Sequence, residues 1–264
     1  MSCSDGPADR APQLLAIIGG TGFGEYAGLT NITPAIVDTP YGTAYLERGL
    51  LHQVPLVFLP RHGQPASFPP HRVNYRANIA ALTQLGVSQI LAITAVGSVD
   101  TQLPAGAIVM PDQVIDYTHG RAQTFYDDEI HHIDFTYPYT PALRTELAAA
   151  VVTLCERDPS MVFRPRGVYG CTQGPRLETA AEISRMARDG CTIVGMTAMP
   201  EATLAREKGV EYAGLSVVVN AGAGINDQVV DLDGITAVMV EGMGRVRQAL
   251  SIFVERRYQV GGPV

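Results

Sequence analysis

The sequence has no long apolar run, only one lysine and few cysteines, and each shortage excludes a class of protein. No run approaches the about 18 residues that a membrane-spanning helix needs. Lys208 is the single lysine, and no P-loop motif surrounds it. The four cysteines, at 3, 155, 171 and 191, form no C-x-x-C pair. This spacing disfavours a zinc site or a redox pair and indicates a reducing, cytoplasmic setting.

Acidic residues outnumber basic ones, with 26 Asp and Glu against 19 Lys and Arg and a net charge of −7. This balance argues against nucleic acid or an anionic membrane as a partner. It remains compatible with a small anion that is held by a few local arginines.

The 264 residues, of which 46% are hydrophobic, are sufficient for one large α/β domain. We predict a flexible tail over 1–13 and a single domain over 14–260. Strands are expected at 14–20, 54–59, 90–96, 108–110, 114–115, 167–171, 192–196 and 212–219, and helices at 74–85, 141–155, 179–188, 201–208 and 234–258. The alternation of the two predicts parallel pairing, with helices on both faces of the sheet.

Polar or glycine-containing segments follow five of the predicted strands. They begin at Gly19, Arg61, Thr94, Met196 and Asn220. Open α/β sheets bind ligands beyond the carboxyl ends of their strands, so these segments predict one shared site.

The first of these segments resembles a dinucleotide-binding loop but departs from it. Gly20 and Gly22 fit the pattern G-x-G-x-x-G, whereas Glu25 stands at the third glycine position and 27–40 has no helical period. A nicotinamide-dependent oxidoreductase, or a nucleotide-binding protein without activity, is therefore a second hypothesis. The glycines and Thr21 can also donate to an anion, although a tight turn without a ligand explains them equally well.

Arg61 and His62 place a cation with paired donors beside an imidazole, which suits a phosphate oxyanion. Thr94 and Thr197 add hydroxyl donors around the same tetrahedral anion. A plain ion pair for Arg61, and ordinary strand positions for the threonines, remain alternatives.

Glu178 lies near the start of a predicted helix, and Asn220 ends a long apolar run. A glutamate there is commonly a partner of the helix dipole, and an asparagine commonly forms a turn. Both can instead present polar groups to a heterocycle.

The segments IIGGTG, DTPYG, RHG, TAVGS, GPRLET, GMTAMPEATLARE and VVVNAGAG together resemble the trimeric nucleoside phosphorylases, in particular the 5′-methylthioadenosine phosphorylase branch. The resemblance implies a mixed, twisted central sheet flanked by helices, a homotrimer, and cleavage of a purine nucleoside by phosphate without another cofactor. It assigns phosphate binding to Thr21, Arg61, His62, Thr94, Ala95 and Thr197. It places Met196 at the ribose, Leu232 and Ile235 at the 5′ substituent, and His132 in a neighbouring subunit's site.

The chain departs from that branch at the base. Asn220 and Gly222 replace two aspartates, and Glu178 replaces a small hydroxyl residue and matches the glutamate of 6-oxopurine phosphorylases. An amide both donates and accepts, and a carboxylate accepts the N1 hydrogen of hypoxanthine. We therefore expect Leu177, Glu178, Asn220 and Gly222 to bind a 6-oxopurine, with Glu178 and Asn220 catalytic. Combined with an apolar 5′ pocket, this predicts 5′-methylthioinosine as substrate, with methylthioadenosine or inosine and guanosine as alternatives, and a role in purine salvage.

Overall fold

A computed structural model describes residues 14–226 and 232–258, with the side chains of 232–234 excepted. The described residues form eleven strands and five α-helices. The strands are β1 Leu14–Gly19, β2 Thr30–Thr39, β3 Gly42–Leu51, β4 Val54–Pro60, β5 Val87–Ser98, β6 Ile108–Val109, β7 Gln113–Asp116, β8 Phe163–Arg164, β9 Val168–Cys171, β10 Ile193–Gly195 and β11 Glu211–Ala221. The helices are α1 Tyr75–Gln84, α2 Pro141–Arg157, α3 Ala180–Arg188, α4 Ala198–Glu207 and α5 Leu232–Arg257.

The centre of the sheet is parallel, in the order β4, β1, β5, β11. These are the most apolar strands, as expected where helices cover both faces. Successive residues of β1 enter opposite cores: Ile18 packs into the cluster that contains Ile79 of α1, and Ile17 into the cluster that contains Leu147 of α2 and Leu250 of α5. The α/β class with a mixed sheet is confirmed.

The strands β2 and β3 were not predicted. They form an antiparallel hairpin beside β4, closed by a turn at 40–41 that leads into Gly42, whose φ is 120°. β2 is mostly exposed, so it lacks the apolar run by which the buried strands are recognised.

The direction of β10 departs from the parallel pairing that the alternation of strands and helices predicts. Ile193 lies opposite Ser98 and Val194 opposite Gly97, in an antiparallel pair with the end of β5. The chain therefore leaves β10 in the direction of Thr94, and Met196 and Thr197 approach the sheet edge from the side opposite to the parallel strands.

The helix termini follow local sequence signals. Asn74 accepts a hydrogen bond from the Ala77 amide at 3.1 Å and begins α1, and Thr179 with Glu182 forms a capping box at α3. The predicted tail, 1–13, lies outside the described residues. None of the helices described has the length and apolar character needed to cross a membrane.

Candidate active site

A cavity of about 380 Å³ lies beyond the ends of β1 and β4 and beside the last residues of β5. It brings together twelve of the residues singled out in the sequence. They are Thr21, Arg61, His62, Thr94, Ala95, Leu177, Glu178, Met196, Thr197, Asn220, Gly222 and Ile235. The strand-end segments therefore do converge on one site.

The glycine turn after β1 lies directly against the guanidinium of Arg61. A Cβ added at Gly20 would lie 2.7 Å from Arg61 Nη1, and Gly22 has a φ of 75°. The Arg61 amide donates to the Gly19 carbonyl at 2.8 Å, which joins this turn to the end of β4. Glycine is required here for close approach rather than for dinucleotide binding.

Arg61 does not direct its paired donors into the cavity, as the sequence suggested. Its Nε and Nη2 donate to the two carboxylate oxygens of Glu201 at 2.7 and 2.9 Å, and Nη1 donates to the Ile93 carbonyl at 3.0 Å. Both side chains are buried. Of the five N–H groups of a guanidinium, one on each terminal nitrogen is then left for a ligand.

Glu201 was missed in the sequence, where it is only one acid in a predicted helix. Tyr212 also donates to it, at 2.8 Å. Burial opposes the charged form of Arg61, but Glu201 outweighs that effect and raises the pKa of Arg61 above its ordinary value. The pair is a buried salt bridge without net charge, so Arg61 offers an anion hydrogen bonds rather than uncompensated charge.

His62 is held by one ring nitrogen. Its Nδ1 lies 2.7 Å from the Phe68 carbonyl, which can only accept, so Nδ1 carries the hydrogen and Nε2 of the neutral ring is an acceptor. Burial, and then the charge of Arg61, lower the pKa of His62 below its ordinary value. His62 is therefore neutral at pH 7.

This lowered pKa predicts a pH-dependent stability. We expect the free energy of unfolding to fall as the pH drops below about 6.5. In this range His62 binds a proton in the unfolded protein but stays neutral in the folded protein. The free energy of unfolding stops falling once the pH is below the pKa of His62 in the folded protein. Denaturant unfolding of the wild type and His62→Gln across this range tests it, because the variant lacks this component; identical slopes would contradict the assignment.

Thr94 is a buried residue that lines the cavity. Its Oγ1 lies 2.8 Å from Ser216 Oγ on the neighbouring strand β11. If Ser216 donates in this bond, the Thr94 proton is free for a ligand. Ser216 was not singled out in the sequence, where it is one polar residue within an apolar run.

Glu178 and Asn220, which also line the cavity, are each oriented by a hydrogen bond. The hydroxyl of Thr172 lies 2.6 Å from Glu178 Oε1, and Asn220 Nδ2 donates to the Ala221 carbonyl at 2.7 Å. The neutral carbonyl of Gly195 lies farther from the same hydroxyl, at 3.3 Å, and a charged carboxylate is the stronger acceptor. The Thr172 proton therefore goes to Glu178, and the other carboxylate oxygen is left to accept from a ligand.

Gly222 has no room for a larger side chain. A Cβ there would lie 2.7 Å from the Ser98 carbonyl and 3.1 Å from Ile183 Cδ1. Restoring a second carboxylate at this position would require the backbone to move.

The remaining wall is formed by α5. Ile235 lines the cavity and Met239, one helical turn later, lines it too. Met239 was missed, although its i+4 spacing from Ile235 was a usable signal.

Two predicted site residues are not found at this cavity. The side chain of Leu232 lies outside the described residues, and His132 is exposed and does not line this cavity. No cluster of three or more His, Cys, Asp or Glu side chains suited to a metal ion occurs in the described part of the chain.

Comparison with known proteins relates this geometry to a family. Residues 14–255 match the family model described as Phosphorylase superfamily. The chain is 48% identical, over 89% of its length and 96% of the relative, to a probable S-methyl-5′-thioinosine phosphorylase of Pseudomonas syringae pathovar tomato. It is 43% identical, over 80% and 81%, to the 6-oxopurine nucleoside phosphorylase of Pyrococcus furiosus.

A solved structure shares the fold. Methylthioadenosine phosphorylase from Schistosoma mansoni, in complex with adenine, superposes with a TM-score of 0.87 at 30% identity, and the match covers 94% of this chain and 92% of that one. With a family match over nearly the whole chain and relatives of this similarity, the protein belongs to the phosphorylase superfamily.

Proposed function

We propose that this protein is a pentosyltransferase that cleaves 5′-methylthioinosine with inorganic phosphate, giving hypoxanthine and 5-methylthioribose 1-phosphate. One observation carries the proposal: Thr172 fixes Glu178 as a hydrogen-bond acceptor in the cavity that also holds Asn220 and the donors around Arg61. Phosphate is a co-substrate, and the reaction needs no further cofactor.

In the reaction the bond between C1′ of the sugar and N9 of the purine breaks, and its electron pair stays with the base. A phosphate oxygen then bonds to C1′, as in other glycosyl transfers through an oxocarbenium-like state. Thr21, Arg61, Thr94, Ala95 and Thr197 hold the phosphate, and His62, whose Nε2 is an acceptor, holds its P–OH group. Because Glu201 neutralises Arg61, the phosphate keeps its negative charge to stabilise the positive sugar.

Selectivity for the base follows from polarity. The free oxygen of Glu178 accepts the N1 hydrogen of hypoxanthine, whereas it would meet a lone pair at adenine N1. The leaving base takes up at N7 the proton that the phosphate gives up overall when its oxygen bonds to C1′. Asn220 donates to O6 and accepts from this N7–H, which stabilises the leaving base. Leu177 and Gly222 complete this end of the cavity.

The sugar end supports a 5′-methylthio group. Met196, Ile235 and Met239 give this end an apolar lining. An unpaired 5′ hydroxyl is costly to bury there, whereas a thioether is not. The names of the relatives include both a methylthioinosine and a 6-oxopurine phosphorylase, which agrees with this substrate and with inosine as the alternative.

The reaction class is tested by dependence on phosphate. We expect hypoxanthine release from methylthioinosine only when phosphate is present, with 5-methylthioribose 1-phosphate formed in equal amount. Release by water alone, or binding of nucleoside without any cleavage, would contradict a phosphorylase. A panel with inosine and methylthioadenosine then ranks the alternatives by kcat/KM.

The substitution Asn220→Asp is expected to shift the substrate preference from the 6-oxo base toward the 6-amino base. A carboxylate accepts from the adenine amine and repels O6, a change of about 1–3 kcal/mol in discrimination. The ratio of kcat/KM for methylthioadenosine and methylthioinosine measures it. We expect the shift from the single substitution, since Gly222 leaves no room for the second aspartate. An unchanged ratio would remove Asn220 from the selectivity mechanism.

We also propose a homotrimer in the cytoplasm that serves purine salvage. His132 and its neighbour Ile130 are exposed, which suits a segment that reaches into another subunit's cavity. Cys155, Cys171 and Cys191 are free thiols, as expected in a reducing compartment.

A further inference from the structure

Arg121 lies behind the cavity, in the segment between β7 and α2, and all five of its N–H groups are used. Nε donates to the Gln173 side chain at 3.1 Å. Nη1 donates to the carbonyls of Met196 and Met199 at 2.9 and 2.5 Å, and Nη2 to those of Thr172 and Gln173 at 3.2 and 2.8 Å. A longer contact, 3.4 Å, joins Nη1 to the Tyr75 hydroxyl.

These acceptors belong to two segments that carry different walls of the cavity. Thr172 and Gln173 directly follow β9, and the Thr172 hydroxyl holds the carboxylate of Glu178, which lines the cavity. Met196 and Met199 lie on either side of Thr197, in the segment assigned to ribose and phosphate. One planar guanidinium therefore ties the base wall to the phosphate wall.

The contacts are not those of an ordinary ion pair. Every acceptor of Arg121 is neutral, and four of them are backbone carbonyls. Donation from a charged group to several fixed carbonyls gives strong and directional bonds. A lysine has one nitrogen and cannot span the same acceptors.

We propose that Arg121 is a positioning residue that couples the two half-sites. By fixing both walls relative to each other, it sets the distance between the bound base and the phosphate that attacks C1′. This inference rests on the proposed function, because it takes the cavity to be the site where nucleoside and phosphate react.

Arg144 provides a matched control. It is a buried arginine that also donates to backbone carbonyls, those of Pro111 and Pro165 at 3.0 and 2.7 Å. Its acceptors lie in neither of the two segments that Arg121 joins, so its loss changes stability without moving the two walls.

The test compares Arg121→Lys and Arg121→Ala with Arg144→Lys and Arg144→Ala. We expect kcat/KM for methylthioinosine to fall about 100-fold in the Arg121 variants, since small displacements of reacting groups have effects of this size. KM should rise for phosphate and for nucleoside together, as both walls loosen. The Arg144 variants should lower Tm to a similar extent and keep wild-type kinetics. Added ethylguanidinium should restore part of the activity of Arg121→Ala and none in Arg144→Ala.

Kinetics of the Arg121 variants within about threefold of the wild type, or a loss equal to that of the Arg144 variants, would overturn the proposal. If Arg121→Ala does not fold, the comparison of Arg121→Lys with Arg144→Lys decides whether the proposal holds. Calorimetric binding of phosphate and of hypoxanthine provides a readout without turnover, and both affinities should weaken in Arg121→Lys. A wild type that binds both ligands but cleaves no nucleoside would refute the proposed function and still leave these affinities to decide on Arg121.

Discussion

Replacing Glu201 by glutamine is expected to lower the free energy of unfolding by about 3–5 kcal/mol, the typical cost of leaving one partner of a buried ion pair without the other. Arg61 and Glu201 are both buried and joined by two hydrogen bonds, so water cannot replace the lost carboxylate. Urea unfolding of the wild type and Glu201→Gln measures the loss. Phosphate KM should rise as well, because Arg61 loses the partner that orients it.

Glu241→Gln is the control, since Glu241 pairs with Arg245 at 3.0 Å on the exposed side of α5. It should change stability by less than about 1 kcal/mol. The double variant Arg61→Met with Glu201→Leu should recover most of the stability and lose the use of phosphate. A Glu201→Gln protein as stable as Glu241→Gln would show that the pair is not desolvated as described.

Glu178→Gln is expected to lower kcat/KM for methylthioinosine by about 30- to 150-fold, equivalent to about 2–3 kcal/mol for a mismatched buried polar group. The hydroxyl of Thr172 keeps the amide oxygen on its side, so the amide nitrogen turns toward N1 of the base. Two donors then meet at hypoxanthine, whereas adenine N1 accepts. Methylthioadenosine should therefore lose less activity, or gain some.

Glu182→Gln serves as the control for this substitution. Glu182 lies in α3, which begins just after Glu178; it pairs with Arg176 at 2.7 Å and does not line the cavity. Its replacement should leave the ratio of the two substrates unchanged. An equal loss of kcat/KM for both substrates in Glu178→Gln would mean that Glu178 does not distinguish hypoxanthine from adenine.

Much of the fold followed from short-range patterns. Buried strands such as β1 and β4 are apolar runs that end in glycine or in polar residues, and such runs are visible in one sequence. The hairpin of β2 and β3 was missed because β2 is mostly exposed and β3 buries only some of its residues, such as Ala44 and Leu46, so neither strand is a continuous apolar run. The reversed direction of β10 has no local signal, since it depends on which strand lies beside it.

The residues of the candidate site were also predicted only in part. Side chains at strand ends, such as Thr21, Thr94 and Asn220, were predicted together because sheet topology brings strand ends to one edge. Glu201 and Thr172 were not, because their roles depend on partners far away in the sequence or across a loop. The paired donors of Arg61 were assigned to a ligand when in fact an internal carboxylate accepts them.

The central claim is that this cavity distinguishes a 6-oxopurine from a 6-aminopurine. The most direct measurement supplies equal amounts of methylthioinosine and methylthioadenosine with phosphate and compares the free bases released. We predict hypoxanthine in at least about tenfold excess, as expected when one base leaves buried polar groups unpaired. Adenine as the main product would contradict the assigned roles of Glu178 and Asn220.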